Sequence, residues 1–206
     1  EGDAGEARCV LDRAVEVVDL PGIYSFDASS LDEVVTRDYL LSRDADLVIN
    51  VVDAGNLERN LYLTVQLLEM GVPLVVALNM MDVMRRRGIT IDIDDLARRL
   101  GCPVIPIVAT TGEGFSALQS QIIDVADARQ TPGFPLAHDD AVEQAIERLL
   151  PALDGVDSAN RRWLALKMLE GERGHGVSER LRQEARQAAE WAGAHFGQDI
   201  ALAIAD

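Results

Sequence analysis

Short, strongly apolar segments alternate with amphipathic stretches along the first part of the chain, and this alternation restricts the choice of fold more than any other feature. Four such segments are AVEVVD (14–19), DLVINVVD (46–53), PLVVALN (73–79) and PVIPIV (103–108). Three of the four are nearly all apolar, which is typical of strands buried on both faces of a parallel sheet. A short polar turn separates AVEVVD from RCVLD (8–12), which indicates an antiparallel hairpin at one edge of the sheet.

Helical patterns lie between and after these segments: LDEVVTRDYLLS, NLERNLYLTVQLLEMG, DIDDLARRLG and SALQSQIIDVADA. The alternation predicts an α/β fold with a mostly parallel sheet and right-handed crossovers. After Gln130 the pattern changes, and TPGFPLAHDD (131–140) indicates a linker. Three helical stretches follow it, at about 141–151, 159–170 and 178–196. We therefore predict two domains, an α/β domain over residues 1–130 and a helical domain over residues 131–206.

The chain is acidic, with a formal net charge of −16 over 206 residues. Nucleic-acid phosphates select basic protein faces, so this charge argues against a nucleic-acid partner. The longest apolar run, Val72–Leu78, is far shorter than the roughly 18 residues of a membrane span. Cys9 and Cys102 form neither a disulfide framework nor a zinc cluster, and EGDAGEAR at the start lacks the apolar stretch of a signal peptide. These features predict a soluble cytoplasmic protein.

Ligands of such sheets bind at the carboxyl ends of the strands, so the residues that follow each strand are the candidates for a site. AVEVVD runs directly into Asp19-Leu20-Pro21-Gly22, the one Asp-x-x-Gly in the chain. A carboxylate here can hold Mg²⁺ through water, and the glycine N–H can bond a terminal phosphate. Because Pro-Gly is also a strong turn signal, the motif taken alone fits an ordinary strand-ending turn better.

The segment PLVVALN ends in Asn79-Met80-Met81-Asp82, an Asn-x-x-Asp. In a guanine-specific site the aspartate accepts hydrogen bonds from N1–H and the 2-amino group, while the asparagine braces the neighbouring loops and reaches N7. The chain holds a second match, Asn50-Val51-Val52-Asp53. Asn50 lies inside its predicted strand and only 31 residues after Asp19, too few for another strand and helix between them. The first match is therefore the better base reader.

The segment PVIPIV ends in Ala109-Thr110-Thr111-Gly112-Glu113-Gly114. A tight loop here offers a backbone N–H to the base carbonyl O6, with Thr110 as the main contact. A Gly-x-Gly before a helix is common in loops, so this motif alone is weak. Three motifs at three predicted strand ends, in this order, are much less common by chance. Together they predict a guanine-nucleotide fold of the P-loop-NTPase, small-GTPase-like type, with Asp19 as the Mg²⁺ ligand through water.

Four segments of the chain, DLPGIYS, INVVDAGNLERNLYLTVQLLEMGVPLVVALNMMD, RLGCPVIP and RRWLALKMLEG, resemble the FeoB family of prokaryotic ferrous-iron transporters. The resemblance covers almost the whole chain, and NLERNLYLT (Asn56–Thr64) is its most specific part. It implies a cytosolic G-protein domain that binds GTP, GDP and Mg²⁺, followed by a helical domain that strengthens GDP binding. It also implies a membrane-embedded iron-transport domain in the same polypeptide, at the inner (cell) membrane. Self-association of the chain stays open.

The phosphate loop G-x-x-x-x-G-K-[ST] cannot occur in these residues, because Lys167 is the only lysine. The first switch is missing as well. In the family both lie upstream of the position where this chain begins. We therefore expect either that the chain is a truncated piece or that the residues of the phosphate loop have been left out of its sequence. The segment between Phe26 and Leu31 is shorter than is usual in the family, which favours residues left out of the sequence over a simple truncation.

Two further departures concern Ile23 and Ala109. Ile23 stands where many GTPases have the glutamine that orients water, so we expect slow hydrolysis and name no catalytic side chain. Ala109 replaces the family's usual serine, with little expected loss since the base contact is through the backbone. Two other functions remain: a G-like interaction module that binds no nucleotide, and a ribosome-associated GTPase, which the charge of −16 opposes.

Overall fold

The computed structural model describes residues 15–26, 30–128, 138–156, 158–171, 178–197 and 199–205. Contacts divide the chain into two compact units. The first, called the α/β unit here, comprises Glu1–Leu68 and Val72–Gly133, and the second, the helical unit, comprises Glu69–Gly71 and Phe134–Asp206. The predicted boundary at residues 130 and 131 falls outside the described residues and stays a prediction.

In the described part of the α/β unit, three parallel strands form a sheet in the order β1-β2-β3. Asp53 and Asn79, the last residues of β1 and β2, are paired in register, and Leu78 pairs with Pro106 of β3. The carboxyl ends of the three strands therefore meet at one edge of the sheet. The strands are β1 (Val48–Asp53), β2 (Leu74–Asn79) and β3 (Val104–Pro106).

The described helices begin and end close to the predicted positions. Ser30 and Glu33 form a capping box at the start of α1, and Gly101 ends α4 in a left-handed conformation. Those of the α/β unit are α1 (Leu31–Ser42), α2 (Leu57–Glu69, whose last residue clusters with the helical unit), α3 (Met81–Arg86), α4 (Ile93–Leu100) and α5 (Phe115–Ala128). Those of the helical unit are α6 (Asp140–Leu149), α7 (Ser158–Leu169), α8 (Glu179–Phe196) and α9 (Ile200–Ala205).

The prediction that AVEVVD forms a strand is wrong for its described part. Residues 15–19 have no strand geometry, and the side chains of Val15, Val17 and Val18 are exposed. A strand needs hydrogen bonds to a neighbouring strand, and no described strand pairs with the outer edge of β1. Asp19 therefore does not follow a strand in this structure. The proposed hairpin partner RCVLD lies outside the described residues.

The apolar sequence of β1 predicted burial on both faces, and this prediction is wrong for β1. Asn50 and Val52 are buried, whereas Ile49 and Val51 on the opposite face are exposed. The buried face lies against α2, where the Nδ2 atom of Asn50 donates to the hydroxyl oxygen of Thr64 at 2.8 Å. Only this face is covered by the described residues, so the strand alternates between buried and exposed side chains.

The helical unit has a core of its own. Aliphatic side chains three and four residues apart on α6 pack with those of α7 and α8, and each one fully buried contributes about 1.5–3 kcal/mol. The largest fully buried members of this core are Ile146, Leu149, Leu153 and Leu166. Among the helices that the structure describes, none combines the length and the apolar character needed to cross a bilayer.

Candidate functional site

The side chain of Asn79 connects the end of β2 with the segment that follows β3. Its Oδ1 atom accepts hydrogen bonds from the backbone N–H of Met80 at 2.8 Å and of Ala109 at 3.0 Å. Met80 has a left-handed backbone, with φ at 65°, which is uncommon for a residue other than glycine. The bond to Met80 stabilises this turn, and the bond to Ala109 is the bracing contact expected of Asn79.

Asp82 lies in the first turn of the short helix α3, directly after the Met80 turn. A carboxylate is favourable there because the helix dipole places partial positive charge at the N-terminus. Its Oδ2 atom forms an ion pair with Nη1 of Arg86, one turn later, at 2.9 Å. A long hydrogen bond of 3.4 Å, from the Met81 N–H to the carbonyl of Ile107, connects α3 with the residue that follows β3.

The segment Ala109–Gly114 forms a tight loop. The N–H groups of Thr111 and Gly112 both donate to the Val108 carbonyl, and Val108 forms an isolated bridge with Glu113. Within the described part of the chain, the Thr110 N–H donates to no acceptor. Thr110 is exposed, and its N–H therefore remains available to a ligand in the loop that follows β3.

Gly114 closes this loop in a conformation that other residues cannot adopt. Its φ is +84°, and a Cβ atom would lie 2.2 Å from the carbonyl oxygen of Pro106. Real Cβ atoms do not approach backbone oxygen so closely, so the chain can pass this point only as glycine. The loop and β3 are thus held close together immediately before α5 begins at Phe115.

Arg85 and Glu113 form a bidentate ion pair that the sequence analysis missed. Both guanidinium nitrogens Nη1 and Nη2 donate to the two carboxylate oxygens at 2.8 Å. The hydrogen bonds with Arg85 lower the pKa of Glu113, and the same bonds with Glu113 raise the pKa of Arg85. The residues are 28 positions apart, so no local pattern in the sequence could have indicated the pair.

The competing Asn-x-x-Asp motif is occupied by structural contacts. Asn50 is buried against Thr64, as described above, and Asp53 uses both of its carboxylate oxygens locally. Oδ1 of Asp53 accepts from the Gly55 N–H at 2.7 Å, and Oδ2 accepts from the Asn56 side chain at 2.6 Å. Asp53 therefore caps the turn that leads into α2.

The segment that contains the Asp-x-x-Gly motif lies against α1 and α2. The Pro21 carbonyl accepts from the Thr36 hydroxyl at 3.4 Å, and the N–H of the fully buried Phe26 donates to Gln66 at 2.9 Å. Asp19 is exposed, and its carboxylate has no partner in the described ranges. Those ranges also contain no group of three His, Cys, Asp or Glu side chains that could hold a metal.

Cys102 is the cysteine that the structure describes. It is buried, and burial raises the pKa of its thiol to about 11. A thiol in this state is neither a nucleophile nor a metal ligand at neutral pH. The other cysteine, Cys9, lies outside the described residues.

A parallel sheet with Asn-x-x-Asp and a glycine-closed loop at neighbouring strand ends, in a chain with a separate helical unit, defines a G domain with a helical domain. Two family models match the chain: ferrous iron transport protein B over residues 3–122 and the FeoB cytosolic helical domain over residues 138–206. The chain belongs to the ferrous iron transport protein B family. This family and the α/β fold with a helical domain were predicted from the sequence, and both predictions are confirmed.

Curated relatives include the Fe(2+) transporter FeoB of Escherichia coli, which is 48% identical over 170 residues. This match covers 78% of the chain and 21% of the relative. The Fe(2+) transporter FeoB of Salmonella typhimurium is 47% identical over 171 residues, with the same coverage. The chain thus spans about a fifth of the length of these relatives.

Solved structures of NFeoB from S. thermophilus share the fold. The mGMPPNP-bound form is 38% identical, with a TM-score of 0.82 over 92% of this chain and 73% of that one. The form bound to GDP·AlF4⁻ and K⁺ is 37% identical, with a TM-score of 0.81 over 92% of this chain and 76% of that one.

Proposed function

We propose that this chain binds GDP and GTP and hydrolyses GTP slowly, as the guanine-nucleotide switch of a ferrous-iron transporter. The observation that carries the proposal is the pair of hydrogen bonds to the Asn79 oxygen. Through them Asn79-Met80-Met81-Asp82 and Ala109-Thr110-Thr111 meet at one edge of the sheet. Relatives with this fold bind GMPPNP and GDP·AlF4⁻, which supports a nucleotide at this edge.

The atoms still available at this edge match the guanine base. The Asn79 oxygen is used by two amides, so its Nδ2 group remains as a donor toward N7. Asp82 offers carboxylate oxygens to N1–H and the 2-amino group, and the Thr110 N–H can donate to O6. Adenine presents an amino group where guanine has O6 and lacks the N1 hydrogen, so the same set of donors and acceptors rejects adenine.

Asp19 fits the role of a magnesium ligand through water. Its carboxylate is exposed and has no partner in the described residues, and carboxylate and water oxygens are the ligands that Mg²⁺ prefers. When bound, Mg²⁺ neutralises charge on the nucleotide phosphates. Leu20, Pro21 and Gly22 follow Asp19, and the Gly22 N–H would donate to the terminal phosphate, next to the contact between Pro21 and Thr36.

Slow hydrolysis follows from Ile23, the residue after Gly22. Its side chain has no polar atom, so it cannot orient the attacking water as the glutamine of many GTPases does. A backbone group or a segment outside the described residues would have to do so. We therefore assign no catalytic side chain.

The relatives are Fe(2+) transporters several times longer than this chain. We accordingly propose that the same polypeptide carries a membrane-embedded iron-transport domain. The present chain would lie at the cytoplasmic face of the inner membrane, and the nucleotide state of the α/β unit would regulate transport.

Displacement of a fluorescent GDP analogue tests the proposal. It is best done on the full-length gene product, including any residues encoded before Glu1 and after Asp206. GDP should displace the analogue at least 100-fold more effectively than ADP, and GTP should be hydrolysed slowly. Absence of guanine-nucleotide binding at millimolar concentration would overturn the proposal and leave the interaction module as the function.

A further inference from the structure

We propose that the ion pair between Arg85 and Glu113 is a clasp that sets how long a guanine nucleotide stays bound. The inference rests on the proposed function and concerns the same site. Arg85 lies on α3, one turn after Asp82, and Glu113 lies in the loop that begins at Ala109. The pair therefore joins the two elements that would both contact the base.

Two connections hold these elements together, at different distances from the sheet. Near the sheet, the Asn79 oxygen accepts from Ala109 at 3.0 Å and the Met81 N–H reaches Ile107 at 3.4 Å. At the surface, Arg85 and Glu113 make two parallel hydrogen bonds of 2.8 Å. Thr110, which is exposed, lies in the chain between these connections. If the Arg85–Glu113 pair is lost, the loop can move away from α3, while the hydrogen bond from Ala109 to Asn79 still holds the beginning of the loop.

The Arg85–Glu113 pair is bidentate, and this geometry bears on how much an exposed ion pair can contribute. Exposed ion pairs generally contribute little, and the side chains of Arg85 and Glu113 are 56% and 54% exposed. A planar guanidinium bound to both carboxylate oxygens is the exception, because the two bonds fix orientation as well as distance. We expect this contribution to appear as a two- to fivefold change in the dissociation rate of the nucleotide.

Glu113 has a second effect, on the carboxylate that would read the base. Asp82 already forms an ion pair with Arg86 at 2.9 Å, and its charge also acts on both members of the Arg85–Glu113 pair. Glu113 holds the Arg85 guanidinium at the loop. Without Glu113, Arg85 can turn to Asp82 and compete with guanine for its oxygens. Removal of Glu113 should therefore weaken binding more than removal of Arg85.

Stopped-flow displacement of a fluorescent GDP from the full-length protein tests the clasp. Arg85→Ala should accelerate dissociation two- to fivefold, and Glu113→Ala should accelerate it further. The double variant should be no faster than Glu113→Ala alone. The charge-reversed pair, Arg85→Glu with Glu113→Arg, should restore the rate to within twofold of the wild type. Melting temperatures should change by less than about 4 °C throughout.

The matched control is Arg99→Ala, which removes a partner of Asp95 within α4, in the same unit. It should leave the dissociation rate unchanged. Single variants that dissociate at the wild-type rate, or a charge-reversed pair that is faster than both singles, would overturn the clasp. Failure of the wild-type protein to prefer GDP over ADP would instead overturn the proposed function, so the two failures are distinguishable.

Discussion

The Oδ1 atom of Asn79 accepts the backbone N–H of Ala109 at 3.0 Å, although the two residues are 30 positions apart. The same oxygen accepts the Met80 N–H, so one side chain orients both the turn before α3 and the loop after β3. A change at either strand end should therefore disturb the other.

Asp82→Asn should weaken GDP binding and shift the preference toward xanthosine diphosphate. The substitution keeps the shape of the side chain but turns one acceptor into a donor, which then faces a guanine N–H. A hydrogen bond to a charged partner contributes about 1.5–3 kcal/mol, so we expect an affinity loss of about 10- to 150-fold. Xanthine has a carbonyl where guanine has its amino group, and so accepts from the new donor. Competition with a fluorescent nucleotide measures both effects.

Asp53→Asn is the control for this experiment, because it alters the aspartate of the other Asn-x-x-Asp. Its new amide would lose the bond from Asn56 and leave the base preference unchanged. A xanthine preference in Asp53→Asn but not in Asp82→Asn would show that the base reader has been assigned to the wrong strand end.

Gly114→Ala should destabilise the α/β unit far more than Gly112→Ala. Both glycines have positive φ, +84° and +77°, so each alanine would pay a backbone cost of about 1–2 kcal/mol. At Gly112 no atom lies within 4 Å of the added carbon, whereas at Gly114 the Pro106 oxygen lies at 2.2 Å. We expect a total cost of about 3 kcal/mol or more at Gly114. Amide hydrogen exchange of this segment, read by mass spectrometry, compares the two; equal effects would contradict the close approach.

Ile23→Ala should change GTP turnover by less than tenfold. The residue offers no polar atom to water or phosphate, so its truncation removes only local packing. Single-turnover hydrolysis in the full-length protein is the appropriate measurement. A loss of 100-fold or more would reveal that the isoleucine shapes the catalytic geometry.

Acid should weaken the helical unit through Glu143. Its two oxygens accept from Arg162 at 2.6 and 2.8 Å, and these bonds lower the pKa of Glu143 in the folded state. A carboxyl group whose pKa is lowered by folding stabilises the folded state at any pH above its unfolded-state pKa, which is near 4.5 here. This contribution disappears as the pH falls through the folded-state pKa. For a partly exposed pair we expect a contribution of about 1 kcal/mol.

Glu143→Gln should remove this part of the pH dependence. Urea unfolding at pH 7 and pH 3 can be followed by fluorescence, because both tryptophans, Trp163 and Trp191, belong to the helical unit. Glu147→Gln, one turn further along α6, should retain the wild-type dependence. If the free energy of unfolding of Glu143→Gln still differs between pH 7 and pH 3 as much as that of the wild type, another group is responsible.

Local signals in the sequence account for most of the fold that was predicted. The helix LDEVVTRDYLLS has the predicted bounds, Leu31–Ser42, because Ser30 and Glu33 cap it from neighbouring positions. The strands β1 and β2 likewise coincide with apolar runs. AVEVVD was wrongly predicted as a strand because an apolar run becomes a strand only beside a neighbouring strand. The sequence of the run itself does not show whether such a neighbour is present.

The candidate site was predictable in its residue types but not in its connections. The strand-end motifs indicated Asn79 and Asp82, yet the short helix α3 was missed, since its start depends on the left-handed turn at Met80. The pair formed by Arg85 and Glu113 was missed for a related reason. Contacts between distant positions depend on the folded sheet, and single opposite charges carry no periodic signal.

Lys167, the only lysine of the chain, lies within α7 with 4% of its surface exposed and its amine 2.6 Å from Glu170. Reagents that acylate lysine need an amine that solvent can reach, and the folded helix covers this one. Labelling of this one side chain should therefore proceed only when the helical unit opens. Once peptide mapping separates it from the α-amino group of the chain, acylation of the one lysine reports how often the helical unit opens.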